Sequence, residues 1–115
     1  MAQVEITYAQ SFHLQLEEHF RYLATHLGEN RASLALIGLL DRFEARVALH
    51  PASAPVCAEA ATIGLRHYRD FVDTQTQLRV IYRLDDTEQE AWALLCLDTR
   101  QSIRQALIQY CLASD

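Results

Sequence analysis

The sequence predicts an α+β domain in which a helical hairpin and a short final helix pack on a small sheet. Three observations carry that prediction. Apolar residues recur every three or four positions in the first half of the chain, they alternate with polar residues in the second half, and the alternating runs are joined by short polar connections. Such connections make an antiparallel meander, and a meander covered by helices is an α+β arrangement. The change of period falls at Pro51 to Pro55, which holds both prolines of the chain. With 115 residues, half of them hydrophobic, the chain forms one domain, residues 1–115. A domain of this size buries roughly two thirds of its extended-chain surface without a metal or a disulfide.

Taken in order, Val4, Ile6 and Tyr8 alternate with Glu5, Thr7 and Ala9, the pattern of a half-buried strand. Phe12, Leu16, Phe20, Leu23 and Leu27 then repeat at helical spacing, and Gly28 is placed to cap that helix. Asn30 can cap a second helix, whose Leu34, Ile37, Leu40, Phe43 or Glu44, and Val47 recur until His50-Pro51 stops it. Two helices joined by about three residues lie antiparallel. Beyond the prolines, Leu65 to Val72, Gln77 to Leu84 and Ala91 to Asp98 read as strands, separated by the turns Asp73 to Thr76 and Asp85 to Glu90. Ile103, Ala106 or Leu107, and Tyr110 mark a short final helix with Ser102 near its start. In the central strand Leu78, Val80, Tyr82 and Leu84 share one face and Arg79, Ile81 and Arg83 the other. One face is therefore expected to be core and the other an open face of guanidinium groups, from which removal of Arg79 would cost little stability.

Composition narrows the function classes. No apolar run approaches the ~20 residues that span a bilayer, and Met1 to Glu5 lacks a charged segment leading into an apolar one, so a cytoplasmic protein without a membrane anchor is expected. Cys57, Cys96 and Cys111 are odd in number and without CxxC spacing, which opposes a disulfide framework and a zinc site and suits core packing. His13, His19 and His26 are six and seven apart, not the four that places two ligands on one helical turn. Gly28, Gly38 and Gly64 cannot build a glycine-rich phosphate cradle. No metal or other cofactor is expected. A net charge of −5 opposes broad attachment to nucleic acid, which draws its affinity from basic residues on phosphates.

Against that acidic background Leu65 to Leu84 is locally basic, with Arg66, His67, Arg69, Arg79 and Arg83 against Asp70 and Asp73, and Arg100 can join from the end of the last strand. Converging on one face, these arginines would bind a phosphodiester or another anion. Alternatively they are a solvated strand face, or are paired with Asp70, Asp73 and Asp98. His67 is the histidine placed to act as general acid or base among them.

The order of elements, with Leu16-Glu17-Glu18-His19-Phe20-Arg21-Tyr22-Leu23-Ala24 opening a helical hairpin, resembles the RelE/ParE superfamily of toxins from bacterial type II toxin-antitoxin modules. So do Gly64-Leu65-Arg66, then Leu78-Arg79-Val80-Ile81-Tyr82-Arg83-Leu84-Asp85-Asp86, then Leu94 to Gln101. The motifs are short, and the resemblance lies in their order along nearly the whole chain. It implies a cognate antitoxin as partner, in a hetero-oligomer or beside a homodimer, and one of two targets. RelE-like members cleave mRNA on the ribosome, which would assign Arg79, Arg100 and His67 to the scissile phosphate. ParE-like members inhibit DNA gyrase by binding it. Residue by residue, Arg79 matches the family's central-strand arginine and Arg100 its final-strand arginine, with Arg66 and Arg69 near the basic pair of the preceding strand. Asp98 stands where the family usually has a histidine, the chain has no lysine, and Tyr110 lies further beyond Arg100 than the tyrosine of the ribonucleases. These departures remove an evident acid and base, and the acidic charge suits a protein target. The expectation is a ParE-like toxin. A RelE-like endonuclease, or a family member that has lost toxicity, are the alternatives.

Overall fold

A computed structural model describes residues 4–64 and 67–106. Its elements are β1 (Glu5–Tyr8), α1 (Gln10–Leu27), α2 (Glu29–Leu49), α3 (Ala58–Ala61), β2 (Tyr68–Asp73), β3 (Leu78–Leu84), β4 (Glu90–Asp98) and α4 (Ile103–Ala106). The strands form one sheet in the order β1-β4-β3-β2. As expected, β2, β3 and β4 are an antiparallel meander. The sheet as a whole is mixed, because β1 runs parallel to β4, Ile6 beside Ala91 and Tyr8 beside Ala93. No short turn ties β1 to its neighbour, so no local rule set its direction.

The hairpin is tighter than its sequence suggested. Gly28 alone separates the two helices, at φ 88°. There its N–H donates to the Ala24 carbonyl while its own carbonyl accepts from the Ala32 N–H, so one glycine ends the first helix and starts the second. Only glycine adopts that left-handed backbone without cost. Asn30 consequently lies inside the first turn of α2 rather than capping it.

The face α2 buries also differs. Ala32, Leu36, Leu39, Phe43 and Val47 are buried, whereas Leu34 and Ile37 of the expected stripe are 70% and 53% exposed. Positions 32–40 are apolar nearly all round the helix, so spacing alone could not choose the buried side. Phe43 sits at the centre of the hairpin-side core, edge-on to Phe71 and Tyr82 with ring centroids 5.6 and 5.3 Å away. Tyr82 is fully buried, and its hydroxyl donates to the Pro51 carbonyl at 2.7 Å. That bond ties the proline segment to the middle of the sheet.

The opposite face of the sheet is not open. Cys57 and Ala60 from the α3 region and Ile103 and Ala106 of α4 bury Ile81, Leu95 and Leu97 in a second core. The short α3, which its four alanine-rich residues did not announce, thus turns half of the expected guanidinium face into an interior. Burial pushes the Cys96 thiol up to about 12, and Cys57 is raised by the same cause, as packing residues should be. Tyr110 and Cys111 lie outside the described residues.

A bulge in β4 sets the two cores in register. Ile81 pairs with Leu95, but Tyr82 pairs with Ala93, leaving Leu94 without an opposite residue. Side-chain parity switches there. Ala91, Ala93 and Cys96 therefore all reach the hairpin-side core, while Leu95 and Leu97 reach the other. Past Ala93, β1 has ended and the edge of β4 is met by α1 instead. Ser11 Oγ donates to the Leu94 carbonyl at 2.6 Å, Gln15 Oε1 accepts from the Cys96 N–H at 2.7 Å, and His19 Nε2 lies 2.8 Å from the Cys96 carbonyl. A carbonyl only accepts, so His19 carries its proton on Nε2. The three side chains recur every fourth residue and share one helical face.

Candidate functional site

The arginines singled out in the sequence do not converge. In β2 and β3, Arg69 lies opposite Tyr82, on the hairpin side, while Arg79 and Arg83 point to the other side of the sheet. Arg69 Nη1 donates to the Ala52 and Ala54 carbonyls, at 3.0 Å each. It acts as a clasp on the proline segment, which also meets β2 through the Val56–Arg69 bridge. Arg66 lies outside the described residues. His67 is exposed in the turn that leads into β2.

Arg79 is committed to Asp70. Its Nε donates to Asp70 Oδ1 at 3.1 Å and its Nη2 to Oδ2, a two-pronged grip between side chains only 19% and 11% exposed. The hydrogen bond to Asp70 raises the guanidinium pKa above its already high value. Arg100 is exposed but reaches back to Asp98, with 3.2 Å between Nε and Oδ1. The Arg100 backbone N–H and then its guanidinium hold the Asp98 carboxyl below the usual range. The structure thus realises the pairing alternative for these two arginines, and the expected open guanidinium face is corrected: Arg79 is half-buried and neutralised within the chain.

A row of side chains crosses the strands on the far face, with Arg83 and Thr7 exposed and Tyr68 and Trp92 half-buried. Tyr68, Arg83, Trp92 and Thr7 occupy matching positions on β2, β3, β4 and β1. Arg83 stacks over the Trp92 ring, with Cζ 4.8 Å from the centroid. A stacked guanidinium keeps its N–H edges available for an acceptor. This row can bind an anionic or carbonyl-rich surface. It presents no carboxylate poised as a base beside a guanidinium poised for phosphate.

Two further arginines were not singled out from the sequence. Arg42 grips Asp73 with Nε to Oδ1 at 2.8 Å and Nη2 to Oδ2 at 2.9 Å. Gly38 makes room for this, since a Cβ there would sit 2.9 Å from Arg42 Nη1. Arg46, one turn on, stands over the Phe71 ring at 5.6 Å. These residues line a groove of about 420 Å³ between the end of α2 and the β2 edge, together with Leu49, His50 and Val72. The spacing of 11 and then 4 between Arg31, Arg42 and Arg46 places them along one side of the helix and was the available signal. Among the described residues no group of three or more His, Cys, Asp or Glu side chains could hold a metal, and no helix is long and apolar enough to cross a membrane.

Two outcomes follow from the pairings. Arg79→Ala leaves Asp70 largely buried without its partner, so the variant should lose about 3 kcal/mol of stability; an unchanged urea midpoint would restore the open-face assignment. The Arg42 hydrogen bond, with Thr76 assisting, holds the Asp73 carboxyl below its ordinary 3.8. A lowered folded-state pKa gives stability that is complete above the unfolded value and is lost as pH falls through the folded one. Acid titration of the unfolding free energy should therefore fall from about pH 4 downward, and Asp73→Asn should flatten that fall. Parallel curves for the two proteins would contradict the assignment.

No protein-family model matches the sequence, and no curated protein matches it significantly. Among solved structures, the chain is similar to one titled "Chromosomal ParDE TA system from P. aeruginosa", with a TM-score of 0.68 over 85% of this chain and 98% of that one. Sequence identity between them is 9%, so what they share is the path of the backbone. That likeness gives the chain a ParE-like α+β fold.

Proposed function

We propose that the chain is the toxin of a toxin-antitoxin module, of the ParE-like kind, which binds DNA gyrase and is restrained by a cognate antitoxin. The fold likeness to a ParDE structure supports a toxin of such a module. The observation that favours a protein target over RNA cleavage is the internal neutralisation of Arg79 and Arg100. Each guanidinium assigned to a scissile phosphate in the endonuclease reading is held by a carboxylate of its own chain. Asp70 and Asp98 would repel a phosphate, and binding one at Arg79 would break charge-assisted bonds to Asp70 that also brace the sheet. Cleavage through the 2′-hydroxyl further needs a proton acceptor and a donor around the phosphate. His67, in its exposed turn, would have to serve without a neighbouring free cation from Arg79.

A protein that acts by binding needs surface rather than chemistry. The Tyr68, Arg83, Trp92 and Thr7 row supplies a rigid aromatic and guanidinium platform on a sheet, the residue types that dominate binding energy at protein interfaces. The net charge of −5 also suits a protein partner better than the phosphate-rich ribosome.

The purified chain should inhibit supercoiling by purified gyrase, and Arg83→Ala should weaken inhibition about tenfold or more while leaving stability nearly unchanged. Cleaved message in a translating extract, lost in His67→Ala, would instead establish the endonuclease reading. Inhibition of neither, with harmless expression in cells lacking antitoxin, would identify a family member that has lost toxicity.

A further inference from the structure

The charges of α2 are sorted by side. Arg31, Arg42 and Arg46 share the side that faces β2 and the turn after it, whereas Glu29, Asp41 and Glu44 fall elsewhere around the helix. Glu44 is moreover engaged by the Tyr8 hydroxyl. Two hollows run along the basic side. One, of about 340 Å³, is lined by Arg31, Leu34, Arg42, Gln75 and Thr76. The groove of about 420 Å³ at the end of α2 shares Arg42 and Gln75 with it, so the two form one trough.

Within that trough the positive charge is not cancelled. Asp73 is its one acid among the described residues, and that side chain is 4% exposed with both carboxylate oxygens accepting from Arg42. Arg31 and Arg46 are exposed and have no carboxylate within ion-pair distance among the described residues. They stand about 22 Å apart along the helix axis. Thr74 and Gln75 are exposed on the opposite bank. Guanidinium groups with hydroxyl and amide side chains beside them are the usual contacts to nucleic-acid phosphates, and a strip about 22 Å long passes about six phosphates of one strand along a duplex axis. Single strands are held instead by exposed rings on which bases stack. The ring in this trough, Phe71, is buried beneath Arg46 and offers no such platform. The rest of the surface carries the acidic excess behind the net charge of −5, which confines the contact to this strip.

We infer that the trough beside α2 is a contact strip for the phosphate backbone of duplex DNA, with Arg31 and Arg46 on the phosphates and Thr74 and Gln75 beside them. Binding is weak, salt-dependent and blind to sequence, because two uncompensated guanidiniums release about two counterions. The choice of DNA rests on the proposed function, since a chain that binds gyrase meets its partner on duplex DNA. Arg83 and Trp92 lie on the other face of the sheet, so the platform and the strip can be engaged together.

The probe is a short fluorescent DNA duplex of mixed sequence, titrated with the full chain and followed by anisotropy. Affinity should fall about fifteenfold between ~50 and ~200 mM salt and should be equal for duplexes of unrelated sequence. Arg31→Ala combined with Arg46→Ala should weaken binding about tenfold or more at the lower salt and remove most of the salt dependence. Arg21→Ala takes a charge from an exposed arginine of α1 and should leave affinity within about twofold. These are surface substitutions that spare the Arg42–Asp73 pair. Absence of saturable binding at the lower salt, or an equal loss per charge in Arg21→Ala, would overturn the inference. So would tighter binding of a single strand or of an RNA duplex, and tighter binding of polyglutamate would make acidic polypeptide the occupant instead. Duplex binding with the expected responses, by a chain that leaves gyrase active, would keep the strip and remove the proposed function. Gyrase inhibition without duplex binding would do the reverse.

Discussion

The helix α1 stitches itself to the edge of β4 where β1 stops, and much of the molecule depends on that junction. A four-residue first strand covers β4 only as far as Ala93, and the bulge at Leu94 then disturbs the ladder on the other side. The carbonyl of Leu94 and both backbone groups of Cys96 would be left beneath a helix, away from water. Ser11, Gln15 and His19 supply the missing acceptor and donors at one-turn intervals. A buried amide left without its acceptor costs about 1–3 kcal/mol, so these polar residues on a core-facing helix are as structural as the phenylalanines beside them. They fix the helical hairpin over the sheet at one height, and that height puts Phe43 between Phe71 and Tyr82.

The same economy governs the charges. Arg42 and Arg79 each brace a neighbouring element through a carboxylate that is mostly buried, and Arg69 braces the proline segment through two carbonyls. A guanidinium so engaged is a poor phosphate ligand, because the incoming oxygen must compete with a bidentate partner already in place. Among the described residues, two cations left for recognition sit on rings at the margins: Arg83 on its tryptophan and Arg46 on its phenylalanine. Both are stacked on aromatic rings, which orders the side chain while leaving its hydrogen-bonding edge outward. The charge distribution therefore describes a surface for binding polypeptide more readily than a centre for cleaving a phosphodiester.

Local rules carried a large part of the fold. Alternation marked Leu78 to Leu84 correctly, down to which face Tyr82 buries, and helical spacing with Gly28 marked the hairpin. What escaped was decided by distant contacts. The parallel direction of β1 depends on its neighbour rather than on a turn, the buried side of α2 was hidden by an apolar stretch with no polar contrast, and the bulge at Leu94 breaks the period that defines a strand. The dispersal of the arginines was partly readable. Alternation from Tyr68 already placed Arg69 opposite in sense to Asp70, and the charge balance offered Asp70 and Asp98 as partners. That the sheet face bearing Arg79 would be built over at Ile81, Leu95 and Leu97 could not be read, because the covering residues come from Cys57, Ala60 and α4, with no sequence pattern linking them to the sheet.

The chain is proposed to act by binding a protein, with Arg79 spent on bracing the sheet and Arg100 held by its own Asp98. The most direct measurement is pulse-labelling after induction in cells that lack an antitoxin, with thymidine and methionine incorporation followed separately over the first minutes. DNA synthesis should fail first while protein synthesis continues. Early loss of methionine incorporation with thymidine incorporation intact would contradict it and return Arg79 and Arg100 to a ribonuclease site.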